Sequence, residues 1–481
     1  MKTYQDLAKA NSQNRTMEFV RSAIIAHKSS DEYRDAKDGH EYLKKRNTTI
    51  MQFQKLLYEV SGQVVPDNIS SNYKLRNAFF PKFIKQENAY LLGNGVTFAD
   101  DKTKEALGGD AFDRELMRAG LAALWGSESF CYYNDGKVSV FNYLEFVPLV
   151  DEETGALRAG IRFWQIDSSK PLRATLYEED GFTEYMLTAN SDREAERKEN
   201  ESAIVLQEKR PYILTVAVSP ADGIEILDGR NYPTFPIVPL WANEEHQSEL
   251  VGLREKIDCY DLIQSGFADN VDDASIIYWT IQNAGGMDDI DLAEFVKKLR
   301  TVHAAVVDEN GAHAEPHTPA LPTEARKAVL AELKDSLYND AMALDPNKMS
   351  MSGVTNVAIR MAYTDLDLKC DGFENCVSDC IAGLLAIVGI EDSPIYKRNM
   401  ITNMQEDTQM VLSAAQYLDH PTVLKHIPFL SPDEVDDILK AVQKEEAERY
   451  KQQLKQAQQA QQEPVTEGEG EEGEGEELDE E

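Results

Sequence analysis

The pattern of apolar and polar positions divides the chain into a helical first part, a β-rich middle and a second helical part. It is clearest between Leu321 and Ile390. Ala325, Val329, Leu330, Leu333 and Leu337 recur at helical spacing after Pro322-Thr323-Glu324, a helix start with proline early and an acid near the positive end of the dipole. Asp345-Pro346-Asn347 should stop this helix, because proline lacks the N–H and disfavours a helical predecessor. Lys348-Met349-Ser350-Met351-Ser352-Gly353 then reads as a small, flexible connection with one positive charge. A second helix is predicted from about Thr355 to Val388. Its Phe373, Cys376, Val377, Cys380, Ile381, Leu384, Leu385 and Val388 form a continuous apolar face. At the usual rise per residue such a helix is roughly 50 Å long.

Residues 1 to about 60 read as helical, with Met17, Val20, Ile24 and Ile25 on one stripe and an apolar pattern resuming from Ile50 to Tyr58. After a break at Gly62–Ser71, the run Asn77–Phe98 predicts an amphipathic helix closed by Gly93 as C-cap, then a short extended piece. Residues 111–125 form another helix, burying Phe112, Leu116, Ala119, Gly120 and Ala123. From Glu128 to about Leu240 short β-branched and aromatic runs alternate with turn signals such as Asn134-Asp135-Gly136 and Glu179-Asp180-Gly181, as hairpins require. Residues 190–210 read as a charged loop, and Phe235–Trp241, studded with prolines, as an edge strand or linker. Leu250, Leu253, Ile257, Tyr260, Gln264, Phe267 and Val271 predict a helix over Ser248–Asp273. A strand at Ile276–Ile281, a helix at Asp291–Leu299 and a strand at Ala304–Val307 follow. A strand at Ile395–Met400 and helical patterns at Thr408–Tyr417, Pro421–His426 and Asp433–Gln462 complete the chain. The expected fold class is mixed α+β, predominantly helical, with a small α+β module inserted between two long helices.

The 481 residues suffice for two to four domains. No run approaches the roughly 20 apolar residues of a membrane span, and the polar N-terminus lacks a signal-peptide core, so cytoplasmic synthesis is expected. Cys131, Cys259, Cys370, Cys376 and Cys380 contain no C-x-x-C pair and read as reduced core cysteines. The formal charge is −36, and Glu467–Glu481 alone holds ten acids and no base. Such a tail buries nothing and is expected to be disordered. An acidic balance of this size argues against gripping nucleic acid over a broad basic face, yet suits a protein that surrounds DNA without sticking to it.

Motifs for chemistry are missing. Gly93-x-Gly95 follows a helix rather than a strand and has no third glycine or Gly-Lys-Ser/Thr, so it is not a phosphate loop. His313 and His317 are four apart but interrupted by Pro316, which leaves a polar loop. Asp288-Asp289-Ile290-Asp291 lacks calcium-loop spacing and reads as a helix start. Asp365 and Asp367 lie two apart on a helix and cannot face one centre. No catalytic, cofactor or metal residues are assigned, and no enzymatic activity is expected.

Three blocks carry a resemblance. One is Asn77-Ala-Phe-Phe-Pro-Lys-Phe-Ile-Lys-Gln-Glu-Asn-Ala-Tyr-Leu-Leu-Gly-Asn-Gly-Val, another Phe235–Asn243 followed by Leu250–Ala268 with Ile257, Asp258, Tyr260 and Asp261, and the last the helix–loop–helix of 322–388. In that order they resemble the portal proteins of tailed bacteriophages, of the type found in phage SPP1. Gly95 stands where the family commonly has proline, a departure expected to alter only the local turn. The resemblance implies a ring, usually of about twelve subunits, at one capsid vertex of the virion and assembled in the host cytoplasm. Double-stranded DNA would enter through it during packaging and leave at infection. Partners would be the terminase large subunit, head-completion or adaptor proteins, and the major capsid and scaffolding proteins, with no membrane. Residues 1–247 would form the wing, 248–273 and 322–344 the stem helices, and 274–321 the clip. Residues 345–354 would be the tunnel loop, 355–400 the spine helix and its return, 401–462 the crown, and 463–481 the acidic tail. The resemblance places Asn347, Lys348, Met349, Ser350, Met351 and Ser352 facing DNA, where Lys348, repeated around a ring, would touch phosphates weakly. The alternative is a minor capsid or head–tail adaptor protein that does not conduct DNA.

Overall fold

A computed structural model describes residues 2–58, 63–67, 70–167, 169–187, 204–219, 223–273, 278–282, 313–317, 322–349, 356–400 and 404–427, with scattered positions from 430 to 452. It forms two compact units, Met1–Ser350 with Ala362–Met400, and Met351–Met361 with Ile401–Glu481.

The first unit opens with α1 (Tyr4–Ser12), α2 (Thr16–Lys28) and α3 (Asp31–Leu43). Thr3 and Ser30 cap α1 and α3 by accepting the N–H groups of Asp6 and Tyr33. On α2 the buried face is Phe19, Val20, Ala23, Ile24 and His27. Ile25, expected on that stripe, points to solvent. Helix α4 (Thr48–Gln52) is short. The helix expected to continue to Tyr58 gives way to a ribbon of β1 (Leu56–Tyr58) and β2 (Val64–Pro66). The run Asn77–Phe98 becomes α5 (Phe79–Leu92) and β3 (Val96–Thr97), followed by α6 (Asp101–Leu107) and α7 (Asp110–Gly126). Gly93 does close α5, its N–H donating to Ala89 O at 3.0 Å. The left-handed residue of this corner, however, is Gly95, at φ +74°. A proline, fixed near −65°, could not take that place, so the departure at Gly95 changes the backbone itself. Asp113 secures the corner by accepting the Val96 N–H at 3.1 Å and pairing with Lys104 at 2.6 Å.

The β-rich stretch contains β4 (Glu128–Asn134) and β5 (Lys137–Asn142), a hairpin turned at Asp135 and Gly136, both at positive φ. Then come β6 (Phe146–Val150), β7 (Leu157–Trp164), β8 (Leu172–Glu178), β9 (Gly181–Leu187) and β10 (Ile204–Arg210), an antiparallel sheet in the order β10-β9-β8-β7-β6. Strand β10 falls in the stretch expected to be a loop. Ile204, Val205 and Leu206 suit a strand, and at a sheet edge only one side need pair, so charges such as Lys209 and Arg210 are accommodated against Glu178 and Glu184. Strands β11 (Ile213–Ser219) and β12 (Gly223–Arg230) form a ribbon. β13 (Ile237–Trp241) lies on the edge of the sheet β13-β4-β5, where Pro239 is tolerated. Helices α1 and α2 cover the five-stranded sheet through Leu7, Val20, Ile24, Val147, Ile161 and Leu176.

Residues 248–253 form turns, and α8 spans Arg254–Asp273, starting six residues after the predicted Ser248. β14 (Tyr278–Gln282) pairs antiparallel with β15 (His313–His317). The histidine pair therefore sits on a strand rather than a loop. Helices α9 (Thr323–Asp340) and α10 (Asn356–Val388) follow, and β16 (Ile395–Tyr396) returns to β3. The face predicted for α10 is the one buried, from Phe373 to Leu385. Together with α5, α7, β4 and β5 it forms the main core. On α9, by contrast, Ala325 and Val329 are exposed and only Leu337 of the predicted stripe is fully buried. Four cysteines are buried, but Cys259 faces solvent on α8, against expectation. In the second unit α11 (Met404–Ala414) and α12 (His420–Lys425) occur. There Asn356 donates its N–H to Glu406 at 2.8 Å and its side-chain amide to Asp407 at 2.9 Å. The helix expected at Asp291–Leu299, the strand at Ala304–Val307, the acids at 288–291 and the tail 463–481 lie outside the described residues.

Candidate functional site around the helix pair

Helix α8 turns an unusual face inward. Ile257, Asp261, Ser265 and Asp269 are all buried at four-residue spacing, so three of four inward positions are polar. An extended segment, residues 70–77, lies along them. Its alternate N–H groups go to the helix in step: Tyr73 to Asp269 at 2.7 Å, Leu75 to Ser265 Oγ at 3.0 Å, Asn77 to Asp261 at 3.0 Å. Two extended residues advance about 6.7 Å and four helical residues about 6 Å, so the two periods stay in register. Asp261 also accepts both the Asn77 side-chain amide, at 2.7 Å, and that of Asn47. Burial raises its pKa, against the amide hydrogen bonds that favour the charged form. Two sequence blocks far apart in the chain are thereby joined by direct bonds between Asn77 and Asp261. The signal in the sequence is the row Asp261, Ser265 and Asp269 at four-residue spacing, which apolar periodicity alone does not reveal.

The connection from α9 to α10 begins with a left-handed turn rather than at proline. Met342 N–H donates to Asn339 O and Ala343 N–H to Tyr338 O, with Met342 at φ +50°, so α9 ends before Pro346 is reached. Lys369 of α10 reaches back beneath this turn. Its Nζ lies 2.7 Å from Glu249, 2.9 Å from Glu87 of α5, and 3.3 Å from Ala341 O. Burial pushes Glu87 up to about 8 against the opposing charge of Lys369, while burial lowers and the two carboxylates more than restore the Lys369 pKa, leaving it raised. The arrangement is therefore an ammonium balanced by Glu249, with Glu87 holding a proton near neutrality. Beside it Gln86 donates to Leu344 O at 3.2 Å. Asp345 accepts the Asn347 N–H at 3.1 Å and its side-chain amide at 3.0 Å, and stands 3.5 Å from Lys334. Burial works to raise Asp345, but these donors outweigh it and hold the carboxyl below its usual range.

Of the residues expected to face DNA, Asn347 closes this Asx turn, and Pro346–Met349, including Lys348 and Met349, form a turn of 3-10 helix. Ser350, Met351 and Ser352 lie outside the described residues. Arg398, after β16, reaches the side of α10 at Asp371, 2.6 Å away, Glu374 at 2.7 Å and Asp367 at 3.4 Å, and Tyr90 donates to Asp367 at 2.6 Å. Asp367 thus serves this network and shares no centre with Asp365. Among the described residues no cluster of His, Cys, Asp and Glu could hold a metal ion.

A family model described as phage portal protein, SPP1 Gp6-like, matches residues 23–460. The chain belongs to the phage portal protein family. Two curated portal proteins are similar to it. That of Clostridium phage phiCD119 is 26% identical over 219 residues, 44% of this chain and 48% of that protein. That of Bacillus phage SPP1 is 24% identical over 333 residues, 66% of this chain and 62% of that protein. The aligned parts thus span about half to under two thirds of these portal proteins. Among solved structures, the virion of a native gene transfer agent particle contains a chain matched over 76% of this one and 90% of its own length, at 12% identity and a TM-score of 0.41. The neck of the native particle contains another, matched over 74% and 90% at 10% identity and a TM-score of 0.37. In this chain the helix pair and its turn stand where the sequence blocks carrying the resemblance meet.

Proposed function

We propose that the chain is the subunit of a ring-shaped portal at one capsid vertex, through which double-stranded DNA is packaged and later ejected. The observation that carries this is the family match across residues 23–460. On this reading the protein is a structural channel with no catalysis of its own, and a terminase large subunit supplies the motor. Head-completion, capsid and scaffolding proteins are its other partners. Residues 1–247 serve as wing, 248–273 and 322–344 as stem helices, 274–321 as clip, 345–354 as tunnel loop, 355–400 as spine and 401–462 as crown. Asn347, Lys348, Met349, Ser350, Met351 and Ser352 face DNA.

Two observations support the reading without carrying it. The formal charge of −36 keeps the protein from holding phosphates firmly, as a sliding channel requires. The apolar side of α9 left open at Ala325 and Val329 suits contact with a second copy. The test is the mass and shape of the purified chain, alone and co-expressed with its scaffold, by native mass spectrometry and negative-stain imaging. Closed rings of about twelve copies with an axial hole are expected. A stable dimer or tetramer without a hole would overturn the channel in favour of a minor capsid or adaptor protein.

A further inference from the structure

We infer that Lys369 is a positioning residue that sets where the turn 341–349, the base of the proposed tunnel loop, stands on the body of the subunit. The assignment of this turn to DNA rests on the proposed function; the mechanical role of Lys369 does not. The ammonium donates to the carbonyl of Ala341 at the end of α9 and lies within ion-pair distance of carboxyl groups from two other segments, Glu87 on α5 and Glu249 after β13. Lys369 itself belongs to α10, so one side chain ties together the two helices that the turn connects and the two elements beneath them. Its side chain is only 13% exposed and Glu87 is 1% exposed, so water cannot replace a lost contact at low cost.

The surrounding contacts make Lys369 the central member rather than one of many. Gln86, next to Glu87 on α5, holds Leu344 O, and Cys370, next to Lys369 on α10, donates its thiol to Glu87 O at 3.9 Å. Thus Gln86 and Lys369 each hold a carbonyl of the turn, while Glu87 and Cys370 beside them join α5 to α10. Asp345, held by Lys334 and Asn347, orders the last part of the turn locally. Among the described residues, Lys369 is the cation that joins that turn to the carboxyl groups of Glu87 and Glu249. Without it, the Glu249 carboxylate is left beside the protonated Glu87 with no cation, and Ala341 O loses a donor.

The experiment is amide hydrogen exchange, read by mass spectrometry on the full chain, for Lys369→Met and Lys369→Arg. The reference segment is 157–178, in the five-stranded sheet. In Lys369→Met, exchange over 341–347 is expected to rise at least tenfold while 157–178 is unchanged, because a buried charge pair has lost its cation. Lys369→Arg keeps the charge and should recover part of that protection, which loss of packing alone would not allow. Where the single variant does not fold, Lys369→Met with Glu249→Gln removes the stranded negative charge and still deletes the Ala341 contact; the same local loosening is expected. Unchanged exchange over 341–347, or an equal rise in both segments, overturns the inference. Loosening in a chain that forms no ring would sink the portal reading and leave this one standing; a ring-forming chain with an unaltered turn would do the reverse.

Discussion

The sharpest prediction concerns His27. It lies on α2, 1% exposed, packed against Tyr143 and against Phe163 of the five-stranded sheet. Tyr33 and Phe163 meet it edge-on, ring centres 5.2 and 6.3 Å away, and Tyr143 lies tilted against it at 4.7 Å. Nε2 stands 2.9 Å from Tyr143 O, which can only accept, so Nε2 carries the proton. Nδ1 has no partner. Adding a proton there would place an unpaired charge among rings, and burial accordingly lowers the pKa from 6.5 to about 4, against smaller opposing effects of the Tyr143 bond and Glu32. The unfolded chain takes up the proton first as pH falls. The contribution of neutral His27 is therefore fully present above about pH 6.5 and is lost on descending to about pH 4. The difference of 2.5 pKa units corresponds to about 3 kcal/mol. The perturbation is His27→Phe, which keeps the ring and abolishes the titration at the loss of one hydrogen bond, a pH-independent offset of about 1 kcal/mol. The assay is amide exchange of α2, corrected for intrinsic rates, from pH 7 to pH 4.5. Wild-type protection should fall by on the order of a hundredfold more than that of the variant. If both lose protection in parallel, His27 is not held neutral and the argument from its surroundings is wrong.

Other substitutions test the remaining supports. Gly95→Pro, which restores the residue common in the portal family, should destabilise by about 3 kcal/mol or more, because φ +74° is closed to proline and the Gly95 N–H to Leu92 O bond is lost; a thermal melt at neutral pH checks it. Asp261→Ala strands three donors of Asn77 and Asn47 and should cost about 3 kcal/mol, read as faster tryptic cleavage at Lys74 and Arg76 in the segment it anchors. Glu128 is buried with no compensating charge, and burial alone pushes it up to about 8. Folding therefore loses stability to it as pH rises from about 4.5 to 8. Glu128→Gln should recover about 3 kcal/mol at pH 7 and little at pH 5, measured as the difference in urea midpoints.

What the sequence disclosed follows from the range over which each cause acts. The buried face of α10 and the helix α7 with Phe112, Leu116 and Ala123 were legible because helical periodicity and burial express one local pattern. The β4–β5 hairpin was legible because Asp135-Gly136 supplies the left-handed turn it needs. Strand β10 was not: its charge says loop, and only pairing with β9 makes it a strand. Nor was the early end of α9, since the left-handed turn falls on Met342 and nothing in the residue type marks it, whereas Pro346 was conspicuous and arrived too late to matter.

The candidate loop shows the same division at the level of function. Its position between two helices could be read directly from Asp345-Pro346-Asn347. What holds it could not. Lys369 looked like one more charge on a helix, Glu87 like one more in the pattern of α5, and Glu249 like a residue ahead of α8. Only folding brings the three within 3 Å and puts them under Ala341. A buried cation with two carboxylates is poor evidence of stability, since desolvation offsets most of the attraction. It is better suited to holding a backbone carbonyl in one place, because any shift of the turn would take an acceptor from a buried ammonium. For a protein whose proposed task is to keep a loop beside a moving polymer without gripping it, restraint belongs there: beneath the loop, away from the DNA, in groups that do not themselves bind phosphate.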